Sequence, residues 1–78
     1  MNDLFDEKTI ARSFGARVRQ LRRARRWTQE RLSAETGLHR TFISRLERGE
    51  QNITLVSVAR VAVAYGVSLS ALFEHVDV

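Results

Sequence analysis

These 78 residues contain no cysteine, no proline and only one lysine, Lys8. Without cysteine there is neither a disulfide nor a thiolate zinc site. Without proline, punctuation falls to the glycines at 15, 37, 49 and 66. The last three stand where helices should stop, because glycine takes the left-handed conformation without a Cβ clash. No apolar run approaches the roughly 20 residues that span a bilayer. The start, MNDLFDEKTI, is acidic and lacks the basic opening of a signal peptide, so the expected location is cytoplasmic. There is no repeat and no low-complexity segment. The two histidines, His39 and His75, have no second ligand at helical spacing, which argues against a metal. There is no glycine-rich phosphate loop and no local nucleophile–base arrangement. The expectation is a non-enzyme with no cofactor and no small-molecule ligand.

A chain of this length suits one domain, 1–78, and a core that is small for its surface. Stability must come from tight helical packing or from a second copy. Lys plus Arg total 13 against 9 acids, a net charge of +4, and the excess is almost all arginine. Arginine offers two-point hydrogen bonding to phosphates and guanine edges, which lysine does not. Arg17, Arg19, Arg22, Arg23, Arg25, Arg26 and Arg31 cluster, whereas the first seven residues carry Asp3, Asp6 and Glu7. A basic cluster is consistent with a solvated face or with a nucleic-acid surface.

The apolar spacing predicts five helices. The first runs from about Thr9 to Arg25, with Ile10, Phe14, Val18 and Leu21 on one face. Gly15 inside it costs about 1 kcal/mol against alanine. Trp27 follows as a core anchor. The second helix, Gln29 to Thr36, is capped by Thr28 and ended by Gly37. The third runs from about Arg40 to Arg48, stopping at Gly49. It is too short to persist alone, so its apolar side (Ile43 and Leu46, with Phe42 at the edge) must pack on helices 1 and 2. Its outward side then shows Arg40, Thr41, Ser44, Arg45 and Arg48, with no acid among them. The fourth follows the cap Thr54 and ends at Gly66, with a core face of Leu55, Val58, Val61, Ala62 and Tyr65. The fifth, capped by Ser68, runs from Leu69 to about His75. Helix 4 also carries a second apolar stripe, Val56, Ala59 and Val63. With Leu69, Leu72 and Phe73 this exceeds what one small core covers, which points to a homodimer interface there. The alternative is that helix 5 folds back over the stripe within one chain.

Helices 2 and 3 with their tight turn read as a helix-turn-helix, whose second helix enters the major groove. Arg40, Thr41, Ser44 and Arg45 are the candidate base readers. Gln29, at a helix N-terminus, suits a phosphate, as do Asn52 and Thr54 before helix 4. Arg17, Arg48 and Gln51 are further phosphate candidates.

Arg22, Thr28-Gln29-Glu30, Leu32, Gly37-Leu38, Ile43-Ser44, Leu46-Glu47-Arg48-Gly49 and Gly66-Val67-Ser68 stand at fixed spacings. On these, the chain from about residue 14 to 73 resembles the phage-repressor-like (XRE-type) helix-turn-helix proteins, leaving 1–9 as an N-terminal extension. The resemblance implies an all-α, lambda-repressor-like bundle of five helices that binds DNA as a dimer. It also implies an ion pair between Arg22 and Glu47, which makes Arg22 structural. The run Leu38-His39-Arg40-Thr41-Phe42-Ile43-Ser44, then Glu47-Arg48, then Asn52-Ile53-Thr54, resembles the controller proteins of restriction–modification systems. In those proteins tyrosine is frequent where Phe42 stands, and aspartate where His39 stands.

The expected function is a sequence-specific transcription regulator acting as a homodimer on a palindromic site in double-stranded DNA. The resemblance extends this to a controller protein acting on its own promoter, and an activator would also touch RNA polymerase. The alternatives are a phage repressor or antitoxin-like regulator and, in another class, a helical protein–protein interaction module.

Overall fold

The computed structural model describes residues 4–78, and Asp3 and the rest of the first three residues lie outside it. Five helices follow in order: α1 Glu7–Ala24, α2 Gln29–Thr36, α3 Arg40–Glu47, α4 Leu55–Tyr65 and α5 Leu69–Leu72. No strand occurs among the described residues.

Each helix begins on a side chain that accepts a backbone N–H. Asp6, Thr28, His39, Thr54 and Ser68 do this in turn. Helix α1 starts two residues earlier than the apolar spacing suggests, because Asp6 accepts the Lys8 N–H at 2.9 Å and Glu7 favours the positive end of the helix. It ends without a glycine. Arg26 takes the left-handed conformation (φ 58°), and the N–H groups of Arg26 and Trp27 close on the carbonyls of Arg23 and Arg22. Arg48 caps α3 rather than extending it. Helix α5 is a single turn ending at Leu72, not near His75. His75 has φ 65°, and the Asp77 N–H turns back to Ser13 Oγ at 2.9 Å.

The core consists of Phe14, Val18, Leu32, Ile43, Leu46, Val58, Val61, Ala62, Tyr65 and Leu72. Leu21, Trp27 and Phe42 pack around it partly exposed. Helix α3 is clamped between α1 and α2. Gly15 is what lets α1 come this close. A Cβ there would collide with the Leu46 carbonyl oxygen and lie 2.9 Å from that of Glu47. The helix-weakening glycine is therefore the contact point that seats α3.

Candidate nucleic-acid interface

The anchor of α3 is its last residue. The Glu47 side chain is 2 % exposed and accepts from Arg22 Nε at 2.7 Å and Nη2 at 3.0 Å. Gln29 Nε2 donates to the same carboxylate at 3.1 Å. Arg22 completes its set by donating to the Trp27 carbonyl at 2.8 Å. The hydrogen bond to Glu47 raises the guanidinium pKa above its ordinary value, against the opposing cost of burial. One carboxylate thus ties α1, α2 and α3 together, and a buried pair satisfied on every side keeps its charges without stranding either.

With Ile43 and Leu46 buried beneath, Arg40, Thr41 and Arg45 are exposed and Ser44 half-exposed. Gln29, Arg40, Thr41 and Ser44 line one open cleft of about 200 Å³. Four candidate DNA contacts from two helices therefore share a single surface. Arg45 has no side-chain partner among the described residues. Arg40 Nε lies 3.7 Å from Glu30 Oε1 across an exposed gap, too far for a hydrogen bond. Ser44 accepts from Arg48 Nη1 at 2.6 Å, and Arg48 also pairs with Glu50 at 3.2 Å. Two acids thus border a face that holds none itself. Asn52 and Thr54 are exposed, and Gln51 half-buried, at the approach to α4. Thr54 Oγ1 is occupied in capping, accepting the Ser57 N–H at 3.1 Å.

Two site expectations need correction. Arg17 does not stand out for a phosphate. Its Nε and Nη2 donate to the carbonyls of Leu72 and Ala71 at 3.2 and 2.8 Å, and its side chain is only 13 % exposed. It closes the open end of α5. Leu72 is fully buried within its own chain and so unavailable to a second copy. Of the remaining expected interface residues, Val56 is 65 % and Val63 81 % exposed, Leu69 and Phe73 lie near 40 %, and Ala59 is half-buried. Leu55 leaves the core face assigned to it. At the first position of α4 it overhangs the packed turn, is 73 % exposed, and joins the Val56–Ala59–Val63 stripe.

Comparison with known proteins fits this geometry. Residues 18–72 match the helix-turn-helix family. The chain belongs to that family. Control protein C.BamHI of Bacillus amyloliquefaciens is 38 % identical over 66 residues, covering 83 % of this chain and 82 % of that one. Control protein C.MunI of a Mycoplasma species is 32 % identical over 65 residues, covering 82 % and 88 %. The crystal structure of the restriction-modification controller protein C.AhdI from Aeromonas hydrophila superposes with a TM-score of 0.78. It shares 36 % identity, with 81 % of this chain and 96 % of that one covered. The helix-turn-helix of this family member is α2, Gly37 and α3. Among its described residues no helix is long and apolar enough to cross a membrane.

Proposed function

We propose that this helix-turn-helix transcription regulator is a controller protein of a restriction–modification system, acting as a homodimer on its own promoter. The observation that carries the reading is the eight-residue α3: held from behind by Glu47, it turns an arginine-rich, acid-free side to solvent. The likeness to C.BamHI, C.MunI and C.AhdI, all named as controllers, supports the system. Arg40 and Arg45 bond guanine edges, and Thr41 and Ser44 add hydroxyl or methyl contacts. Gln29 and Arg48, with Gln51, Asn52 and Thr54, hold the two backbones of the groove and set the register. Leu55, Val56, Ala59, Val63, Leu69 and Phe73 meet the same residues of a second copy. That pairing spaces two recognition helices for successive major grooves about 34 Å apart on a palindrome. A site of this kind works where the chromosome is, in the cytoplasm, and RNA polymerase is the further partner at an activated promoter.

The test is a gel shift on DNA from upstream of the gene, with excess random DNA as competitor. Wild type and an Arg40→Ala/Arg45→Ala variant run side by side. A specific shift, lost in the folded variant, is expected. Absence of any specific shift from folded wild type overturns the reading and favours a protein-binding module.

A further inference from the structure

The structure sorts the arginines of the basic cluster. Arg17, Arg22 and Arg25 direct their donors to internal carbonyls and to Glu47. Arg31 lies over the Trp27 ring and pairs with Glu35. Arg12, Arg19, Arg23 and Arg26 are different: all are exposed, and none has a side-chain partner among the described residues; Arg26 follows the end of α1, whereas Arg12, Arg19 and Arg23 lie on it. At roughly 100° per residue these three fall within an arc of about 40° along α1, spanning about 16 Å of its axis. Ala16 sits beside them. Like charges on one helix face repel, and no acid on that face offsets these.

The flank they occupy adjoins the DNA-facing elements. A Cβ at Gly49 would lie 2.7 Å from Arg12 Cγ, so Arg12 borders the turn leading to Gln51 and Asn52. Arg19, Gln20 and Arg23 line an open groove of about 380 Å³ whose far wall is Glu47, the residue that also holds Gln29. The charge of Glu47 is already matched by Arg22, and that of Glu50 by Arg48. Glu7 shares the cleft at the far end with Lys8, which leaves the three arginines, not Lys8, as the net positive surface.

We propose that Arg12, Arg19 and Arg23 form a second backbone-binding surface, which takes the sugar-phosphate strand of duplex DNA beside the bases read by α3. The proposal rests on the DNA-binding reading above. Sixteen ångströms along the duplex axis corresponds to about five base pairs at 3.4 Å each. Three unpartnered guanidiniums in line along that length suit a regular polyanion.

The experiment is fluorescence anisotropy on an operator duplex and on a random duplex of equal length, titrated with salt. Wild type is compared with Arg12→Gln/Arg19→Gln/Arg23→Gln and with Arg40→Ala/Arg45→Ala. The triple variant should weaken both duplexes alike, by at least about tenfold at near-physiological salt. Its salt slope should be shallower by about 2.7, or about 0.9 for each phosphate no longer neutralised. The ratio of operator to random affinity should stay unchanged. The Arg40/Arg45 variant should instead lose that ratio. If circular dichroism shows the triple variant unfolded, Arg19→Gln/Arg23→Gln carries the same test, with a slope change of about 1.8. A folded stripe variant with wild-type affinity and slope overturns the second surface while leaving the α3 reading standing. A wild type that binds neither duplex overturns both.

Discussion

Replacing Glu47 by alanine should unfold this domain far more readily than any change on the recognition face. The carboxylate is 2 % exposed and receives three hydrogen bonds, two of them from a guanidinium that is itself only 12 % exposed. Deleting it strands a buried positive charge, which costs about 3–5 kcal/mol. A domain of this size has about 4–12 kcal/mol in all, at the usual stability per residue. The loss therefore removes a large share of what holds the fold. At about 4–8 °C per kcal/mol, the melting temperature should fall by at least about 12 °C. Arg40→Ala is the control. Its side chain is 61 % exposed and, among the described residues, its only ionic neighbour is 3.7 Å away. Exposed pairs of that kind contribute about 0–1 kcal/mol, so a shift below about 8 °C is expected. Both variants should be melted by circular dichroism at one protein concentration, because the proposed dimerisation would make the midpoint concentration-dependent. The guanidinium pKa of Arg22 is raised, so its stabilising charge is present throughout the neutral and acid range and is lost only in strong alkali. Neutral-range pH cannot switch the arginine off, which is why substitution is the right perturbation. The double variant Arg22→Met/Glu47→Leu should recover much of the loss. Equal melting temperatures for Glu47→Ala and Arg40→Ala would refute the reasoning.

Three further outcomes are expected. Gly15→Ala should destabilise by about 2–3 kcal/mol in a urea titration, despite a helix-propensity gain of about 1 kcal/mol, because its Cβ meets the end of α3; a net gain would show that α1 can shift freely. Burial, and then the charge of Glu47, raise the pKa of Tyr65, whose hydroxyl donates to the Val18 carbonyl at 2.8 Å. The unfolded chain ionises its tyrosine near pH 10, so stability should be full below that and fall as pH rises beyond it. Tyr65→Phe should lose about 1 kcal/mol at neutral pH and show less of the alkaline fall. As this is the only tyrosine, tyrosinate absorbance reports it directly, and ionisation at the ordinary value would contradict the prediction. His39→Asn should raise stability by about 0.5 kcal/mol, since asparagine is a preferred cap where His39 Nδ1 now accepts the Thr41 N–H at 3.0 Å; an unchanged urea midpoint would count against it.

Helices α2 and α4 are legible to the residue because each is bracketed by a threonine cap and a glycine stop. The end of α1 is not, since Arg26 takes the place of a glycine there. The polar side of α3 follows from its short apolar repeat, and the structure keeps it outward. The roles of individual arginines are a different matter. Arg17 meets a carbonyl 55 positions away and Arg25 one 40 away, at Tyr65. Nothing local in the sequence separates them from Arg19 and Arg23, which find no such carbonyl. Leu55 and Leu72 illustrate the same limit. Helical phase puts Leu55 on the core side, but it stands at the first position of its helix, where the packed turn does not reach. Leu72 is fully buried on a single turn that packs on α4, with its carbonyl held from 55 positions away by Arg17.

Glu47 also bears on how such a protein diversifies. Within the eight residues of α3, the side chains that secure the helix and those proposed to meet its target fall largely on opposite sides. Ile43, Leu46 and Glu47 face inward, while Arg40, Thr41 and Arg45 have no part in the packing. Because the carboxylate fixes the pose from behind, exchanging the outward set leaves α3 seated as before. Descendants of one gene can therefore drift apart in the sequence they recognise, one outward residue at a time, without passing through an unfolded ancestor.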